Sequence, residues 1–195
     1  QRAVRYEVIR PFLWCGCWSE MSLGVTGNWI GVHDGDPRAL ALFKRHYSYR
    51  RRASGQPRGS PTFVGQGQKM VLITAEVDAL FVWQVSTVIR LDGQKGVRCS
   101  VFRNEGPLRS SDLILEAEEL AWRRWPGERL FTYVWPAKVK SVNPGYCFKM
   151  AGWRQCGRNA DGRLIILEKL QALVLRRECW HCGGRHDADI SATAD

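Results

Sequence analysis

Basic and aromatic side chains that could act together chemically are concentrated between Pro37 and Ala75. This stretch contains no acidic residue, and His46, Tyr47 and Tyr49 stand among its arginines and lysines. Guanidinium groups neutralise phosphates, and aromatic rings provide surfaces on which bases stack. The pattern indicates nucleic acid binding, and a solvated basic face or a flexible arm is the alternative. We expect the phosphate contacts to come from Arg45, Arg50, Arg51, Arg52 and Arg58.

A second group of chemically competent side chains lies near the end of the chain. Cys179, Cys182 and His186 have the spacing C-x2-C-x3-H, with His181 between the two thiols. Zinc takes four Cys or His ligands in a tetrahedron, so these three would need His181 or a ligand from elsewhere. The pattern slightly favours a disordered tail with incidental cysteines, and a zinc site, structural rather than catalytic, is the alternative.

A third segment, Arg103 to Ser111, could bind an anion. It has a glycine, two arginines and a helix start that Ser110 or Ser111 would cap. Backbone N–H groups at such a helix start bind phosphates, although Glu105 within the segment would repel one. The residues expected to contribute are Arg103, Gly106, Arg109, Ser110 and Ser111.

Composition limits the class of protein. The chain has 195 residues, a formal net charge of +10 and 45% hydrophobic residues, which fits one globular domain with a core. Its seven cysteines form an odd set, which favours reduced thiols over a disulfide framework. No apolar run approaches the roughly 20 residues of a membrane-spanning helix, and no signal peptide is evident. We therefore expect a cytoplasmic protein without a membrane partner.

These side chains must be positioned by an α+β domain over residues 29–170, between a poorly specified extension (1–28) and a tail (171–195). The hydrophobic periodicity and the turn residues predict the order of its first elements. They are a helix over Arg38–His46, strands over Lys69–Thr74, Ala79–Ile89 and Val97–Arg103, and a helix from Ser110 or Ser111 to Trp125.

The sequence of the second half of the domain predicts a strand, a short helix and a hairpin. The strand covers Leu130–Trp135, and the helix begins at Asn143-Pro144 and covers Tyr146–Ala151. The two hairpin strands are predicted over Trp153–Cys156 and Arg163–Leu167. A last helix is predicted over Gln171–Arg177.

This order of elements resembles the GNAT superfamily of N-acetyltransferases. The segment from Tyr133 to Trp153 is the most specific part, and the resemblance covers about residues 29–168. More narrowly, the chain is similar to phage Mom proteins, which are GNAT-like enzymes that modify adenine bases in DNA. The resemblance implies a central, mostly antiparallel mixed sheet flanked by helices. The chain lacks the GNAT pattern Gln/Arg-x-x-Gly-x-Gly/Ala, a departure that it shares with Mom-like proteins.

The resemblance also implies roles for individual residues. Tyr146 would protonate a leaving thiolate or orient the acceptor, and the Arg103–Ser111 segment would bind acetyl-CoA or a related acyl donor. His46 would act as a base or as a ligand of a metal such as iron, and Tyr47 would stack or donate a hydrogen bond. The alternatives are a surface or capping role for His46 and a core role for Tyr146.

The sequence therefore predicts a group transferase that acts on an amine, with an exocyclic amine of a DNA base as the acceptor. Two other functions stay open. One is an acetyl-CoA-dependent N-acetyltransferase for a small molecule or a protein. The other is a nucleic-acid-binding protein without catalysis, built on a GNAT-derived scaffold with a zinc-binding tail. The sequence does not specify the oligomeric state.

Overall fold

The computed structural model describes residues 25–49, 62–87 and 92–172, and the backbone of two short strands at 175–178 and 185–188. Its strands are β1 (Val25–Thr26), β2 (Trp29–Val32), β3 (Gln68–Ile73), β4 (Ala79–Val85), β5 (Val97–Asn104), β6 (Leu130–Val134), β7 (Arg154–Arg158), β8 (Ile165–Lys169), β9 (Leu175–Glu178) and β10 (Arg185–Ala188). Its helices are α1 (Pro37–Arg45), α2 (Ser110–Arg124) and α3 (Tyr146–Met150), with a 3-10 turn at Pro136–Lys138. The fold is α+β, as the sequence predicts.

Eight strands form one mixed sheet in the order β1-β2-β3-β4-β5-β6-β8-β7, and β9 pairs with β10 separately. Within this sheet the neighbours are antiparallel, except β5 and β6, which are parallel. A parallel pair needs a crossover connection, and α2 provides it between the end of β5 and the start of β6. The predicted mixed, mostly antiparallel sheet is confirmed.

Different helices cover the two faces of the sheet. Helices α2 and α3 pack on one face, in a core that includes Trp83, Leu130 and Leu167. Helix α1 packs on the opposite face against β3, β4 and β5, where Leu42 and Val82 belong to a second core. Successive residues of a strand point to opposite faces, so β4 is buried on both sides and forms the centre of the domain.

Helix α1 is shifted by one residue from the predicted range, because it begins at Pro37 and ends at Arg45. The Asp36 carboxylate accepts hydrogen bonds from the backbone N–H of Arg38 at 2.8 Å and of Ala39 at 3.4 Å. Pro37 occupies the first helical position, where its missing N–H and fixed φ cost nothing. The helix ends at Arg45, so the next residues of the chain leave the helix directly above the sheet.

Helix α2 is held on the sheet by three indoles. Trp29 Nε1 and Trp83 Nε1 each donate a hydrogen bond at 2.9 Å to a main-chain carbonyl of α2, and Trp153 Nε1 donates to the Glu118 carboxylate. Glu118 is 1% exposed, and Lys169 Nζ lies 2.5 Å from its second oxygen. Burial raises the pKa of Glu118, and the bonds from Lys169 and Trp153 oppose that rise. The buried carboxylate thus connects α2, β8 and the start of β7.

Strands β5 and β6 separate after a short region of pairing. Only three residue pairs join them, and the last is Cys99 with Thr132. On the other side of β5, Val101 pairs with Val82 and Cys99 pairs with Trp83, so Ser100 is an extra, bulged residue. A β-bulge bends its strand and increases the local twist. The bulge therefore directs the end of β5 away from β6 and opens a gap in the middle of the sheet.

The predicted cap of α2 is wrong. The N-cap residue is Arg109, and no side chain caps the helix. The Ser110 hydroxyl is turned back toward the preceding loop, where it accepts a hydrogen bond at 3.0 Å from the Asn104 side chain. Asp112 in the first turn provides the negative charge that the helix dipole favours.

The predicted start of α3 is also wrong. The residue before the helix is Gly145, in a left-handed conformation with φ of 77°, rather than Asn143. A Cβ at Gly145 would lie 2.5 Å from a methyl carbon of Leu167, so both the backbone angle and the space require glycine here. Asn143 instead accepts hydrogen bonds from the backbone of Tyr146 and from the Lys149 ammonium.

The predicted helix over Gln171–Arg177 is wrong as well. Strand β9 covers Leu175–Glu178 and pairs with β10. His186 lies in β10 opposite Arg177.

Several predicted site residues lie outside the described residues, namely the arginines at 50, 51, 52 and 58 and the cysteines at 179 and 182. None of the helices in the described ranges is long and apolar enough to cross a membrane.

The buried pair of Glu118 and Lys169 gives a prediction for stability. Lys169→Met should lower the free energy of unfolding by about 3–5 kcal/mol, because it leaves a buried carboxylate without its cation. The double variant Glu118→Gln/Lys169→Met should recover part of that loss. Arg123→Ala is the control, because its ion pair with Glu119 is exposed and long at 3.7 Å, so it should change stability by less than about 1 kcal/mol. Urea unfolding measures all three, and equal values for Lys169→Met and Arg123→Ala would contradict the prediction.

Candidate active site

A cavity of about 310 Å³ opens on the α1 side of the sheet, where β5 and β6 separate. Four parts of the chain form its walls: the residues that follow α1, the middle of β5, the end of β6 and the turn between β7 and β8. Its lining residues are His46, Tyr47, Ser48, Arg98, Cys99, Ser100, Tyr133, Trp135, Asp161, Arg163 and Leu164. The carboxyl ends of neighbouring parallel strands are a common place for ligands, because the connections leave in different directions there.

His46 is buried at the inner wall of this cavity and is only 9% exposed. Its pKa is lowered from 6.5 to about 4, mainly by burial and secondly by the charge of Arg103, while a backbone hydrogen bond with Phe102 opposes the shift. The imidazole is therefore neutral at physiological pH. The sequence alone left this histidine between a site residue and a surface residue, and the structure places it inside the cavity.

His46 and Ser48 form a hydroxyl–imidazole pair. The backbone N–H of Ser48 donates to His46 Nδ1 at 3.2 Å, so this nitrogen is an acceptor and the neutral ring carries its proton on Nε2. The Ser48 hydroxyl lies 2.7 Å from the same Nδ1 and donates its hydrogen to it. A hydroxyl bonded to an imidazole in this way can accept a proton from a ligand while it passes its own proton to the ring.

Tyr47 lies beside the histidine and reaches into the gap between the strands. Its ring lies 4.2 Å from the His46 ring, centroid to centroid. The residue is 39% exposed as a whole, but its hydroxyl is buried near Cys99 and Cys147, and this burial raises the pKa of Tyr47. A backbone hydrogen bond with Trp135 opposes the rise. The phenol stays protonated and can donate a hydrogen bond to a ligand in the gap.

An ion-pair cluster holds the end of α1 in place. The Glu105 carboxylate binds Arg45 at 2.7 Å and also binds Arg103, which in turn donates to the Arg45 carbonyl. The side-chain hydrogen bonds from Arg45 and then Arg103 lower the pKa of Glu105 to about 2. His46 follows Arg45 directly, so this cluster fixes the position of the histidine. Both arginines, which the sequence assigned to phosphate contacts, are engaged with Glu105 in the structure.

The charged residues among the described lining of the cavity are two arginines and one aspartate. Its single lining carboxylate, Asp161, pairs with Arg163 at 2.5 Å, and the bond from Arg163 lowers the pKa of Asp161. Arg98 contributes a second cation and donates to the Gln84 side chain at 2.5 Å. The lining therefore carries one more positive charge than negative charge. A cationic ligand finds no unpaired carboxylate among the described lining residues.

Four of the five residues predicted to bind the donor make other contacts, and they are Arg103, Gly106, Ser110 and Ser111. Arg103 binds Glu105, and the Gly106 N–H donates to the Asn104 side chain at 3.0 Å. A Cβ at Gly106 would also lie 1.9 Å from the Asp78 carboxylate, so an acidic group lies against this part of the loop. Arg109 precedes the first turn of α2, which has no side-chain cap, and the Asp112 carboxylate lies in the same turn.

Tyr146 is the predicted catalytic residue that the structure keeps apart from the others. It lies on α3, is 55% exposed and does not line the cavity that holds His46 and Tyr47. The same short helix is anchored by Phe148, which is buried against Trp153. Helix α3 packs on the α2 side of the sheet, so Tyr146 lies on the face opposite to the one where the cavity opens.

The sequence missed most of the outer wall. Tyr133, Trp135, Asp161 and Arg163 line the cavity, but none was named as a site residue. The Tyr133 hydroxyl donates a hydrogen bond to the Asp92 carboxylate at 2.5 Å, and this bond restrains the tyrosine ring. The one available signal was the Asn159–Arg163 turn, because polar residues at a hairpin turn often face a ligand.

The described residues do not fit a metal centre at this site. Within residues 25–49, 62–87 and 92–172, no three His, Cys, Asp or Glu side chains come together. Among the described residues, His46 therefore belongs to no group of three such side chains that could hold iron. For the predicted zinc site, the side chains of Cys179, Cys182 and His186 lie beyond what the structure describes.

The cavity combines proton-accepting, hydrogen-bonding and aromatic side chains. A hydroxyl–imidazole pair can receive a proton, a protonated phenol can stabilise developing negative charge, and aromatic walls can hold a planar acceptor. No protein-family model, curated protein or solved structure matches this chain.

The pKa of His46 predicts a pH dependence of folding. Its folded pKa of about 4 lies below the unfolded value of 6.5, so the unfolded state binds more protons between these pH values. The full stabilising contribution of the neutral His46 is present above pH 6.5. As the pH falls toward 4, the free energy of unfolding decreases by about 3 kcal/mol. His46→Gln should remove this part of the pH dependence, measured by urea unfolding at a series of pH values. The exposed His33, changed to Gln, is the control, and an unaltered pH profile in His46→Gln would contradict the prediction.

Proposed function

We propose that this protein is a transferase with a GNAT-type fold that moves a small group, such as an acyl group, to an amine. The observation that carries the proposal is the cavity at the gap between β5 and β6, with His46 and Tyr47 side by side inside it. The order of elements supports the same class, because helix, three antiparallel strands, helix, strand, short helix and hairpin follow one another as in the resemblance.

The acceptor is an aromatic amine, and we propose an exocyclic amine of a DNA base. Alkylamines are cationic at neutral pH and are usually bound by carboxylates, whereas the single lining carboxylate, Asp161, is paired with Arg163. The positive wall instead suits a neutral base that carries phosphates. Tyr47 and Trp135 provide aromatic surfaces for stacking. A base inside a duplex would have to be flipped out, at a cost of a few kcal/mol that stacking offsets.

The weak basicity of His46 fits such an acceptor. The nitrogen of an aromatic amine is neutral before it attacks, and its proton becomes acidic only as the new bond forms. Ser48 Oγ can accept that proton while its own hydrogen passes to His46 Nδ1, over the 2.7 Å bond. An imidazole with a pKa of about 4 is sufficient for this step, but it would be too weak to deprotonate an alkylammonium group.

The gap between the strands separates the acceptor side from the donor side. When bound, an acetyl-CoA-like donor would supply the acyl group and the leaving thiolate. Arg109 and the uncapped first turn of α2 are the residues best placed to hold its phosphates. The protonated Tyr47 hydroxyl lies in the gap, where it can donate a hydrogen bond to the oxygen that gains charge.

The test is mass spectrometry of nucleosides from plasmid DNA in bacteria that express the full chain. The wild type should produce a modified nucleoside that carries a new group on an exocyclic amine. His46→Gln should lower its yield by about 10²-fold or more, because the proton acceptor is lost. Tyr47→Phe should lower it as well, through the loss of the hydroxyl.

Two further variants sharpen this test. Tyr49→Phe is the matched control for Tyr47→Phe, because Tyr49 packs on Phe43 at 5.6 Å and does not line the cavity. Tyr146→Phe tests the residue predicted from the sequence, and an unchanged yield would remove it from the mechanism. Unmodified DNA from well-folded wild-type protein would refute the DNA-base proposal. Calorimetry with acetyl-CoA would then test an N-acetyltransferase that acts on another amine.

A further inference from the structure

A tight turn after α1 presents the Ser48 hydroxyl to the candidate active site. The Tyr49 N–H donates to the His46 carbonyl at 3.0 Å, which closes the turn with Tyr47 and Ser48 at its corner. Ser48 is exposed at this corner, whereas His46 is buried. Both residues line the cavity. The hydroxyl is therefore open to a ligand on one side and bonded to an imidazole on the other.

The His46 ring is held in the orientation that a base for this hydroxyl needs. Ser48 Oγ lies 2.7 Å from His46 Nδ1, close enough for the imidazole to take the hydroxyl proton. A backbone hydrogen bond with Phe102 restrains the ring, and the Glu105 cluster holds the preceding residue, Arg45. A nucleophile, a base and groups that orient the base are the three parts of an activated hydroxyl.

We infer that Ser48 is a catalytic nucleophile, which carries the transferred acyl group as an ester before the amine takes it up. This inference rests on the proposed transferase reaction and specifies its path. In the first step, a bond forms between Ser48 Oγ and the acyl carbon of the donor, and the hydroxyl proton passes to His46 Nδ1. The bond to the leaving group then breaks. The leaving group departs with that proton, so the imidazole is neutral again.

The second step regenerates the hydroxyl. The amine nitrogen attacks the ester carbon, and its proton passes to His46 Nδ1, because Ser48 Oγ is now the ester oxygen. When the bond between Oγ and the carbon breaks, Ser48 recovers a proton from Nδ1. The amine thus gains the acyl group and loses one hydrogen, and water in its place gives hydrolysis. In a direct transfer, the same 2.7 Å bond would carry a proton alone.

The low basicity of His46 limits the donors that Ser48 can attack. With a pKa of about 4, the imidazole gives the hydroxyl only weak assistance. Amides and alkyl esters have strongly basic leaving groups and need more assistance than this. Thioesters, acyl phosphates and aryl esters have weakly basic leaving groups and reactive carbonyl groups. The protonated Tyr47 hydroxyl can donate to the carbonyl oxygen as it gains charge. The geometry therefore suits an activated acyl donor.

Covalent labelling of the full chain with an alkyl fluorophosphonate tests the first step. This probe forms a bond between phosphorus and an activated serine oxygen, and fluoride leaves. Cleavage after Arg45 and Arg50 gives the peptide of residues 46–50, whose fragment ions distinguish Ser48 from Tyr47 and Tyr49. We expect the label on Ser48. His46→Gln should lower the labelling rate by about 10²-fold, because the base is lost.

Two serine variants provide the controls. Ser48→Ala should remove the label from this peptide, and circular dichroism shows whether the variant keeps its fold. The Ser141 hydroxyl is exposed and donates to the Asn143 carbonyl at 3.2 Å, so Ser141→Ala should label at the wild-type rate. The wild-type result does not depend on any variant. A folded wild-type chain that stays unlabelled at Ser48, or that is labelled on a tyrosine of the same peptide instead, would overturn the inference.

The nucleoside assay keeps the two proposals apart. A modified nucleoside from a chain that does not label at Ser48 would refute the ester intermediate and leave direct transfer to the base. A label at Ser48 together with unmodified DNA would refute the DNA-base acceptor alone. The donor class has its own check, because p-nitrophenyl acetate should acetylate Ser48 and the corresponding amide, p-nitroacetanilide, should not.

Discussion

The short parallel pairing of β5 with β6 is the constraint on which the candidate site depends. Three residue pairs hold the two strands together, and the bulge at Ser100 then turns β5 away. If pairing continued to the ends of both strands, the gap that receives the Tyr47 hydroxyl would be closed by hydrogen bonds. The cavity is therefore a product of strand geometry, and its side chains only decide what it binds.

Two rigid supports keep this gap from collapsing. On one face the indoles of Trp29, Trp83 and Trp153 fix α2, and α2 is the connection between the two diverging strands. On the other face the Glu105 cluster ties the end of α1 to the end of β5. The end of β5 is thus tied to α1 on one face, while α2 is fixed to the sheet on the other. The arrangement separates the strands more firmly than loops alone could.

Local signals were enough to predict the elements, but the contacts of the site are not local. Asp36 and Pro37 mark the start of α1 because a cap acts within three residues. Glu105 was expected to repel phosphate, because the sequence does not show that Arg45, 60 positions away, neutralises it. The helix predicted over 171–177 failed because pairing of β9 with β10 outweighs a short helical pattern. Asp161 and Arg163 reach the cavity only through the order of β7 and β8 in the sheet.

A β-sheet normally has two edges, here β1 and β7. The divergence of β5 and β6 gives this sheet a second pair of edges in its interior, formed by the last residues of both strands. Exposed edges usually attract strands of other molecules and promote aggregation. These inner edges are flanked by paired strands on both sides, so a foreign strand cannot align beside them. A ligand that enters the gap must fit between the two flanking strands, so a feature that usually promotes aggregation here restricts the width of the ligand.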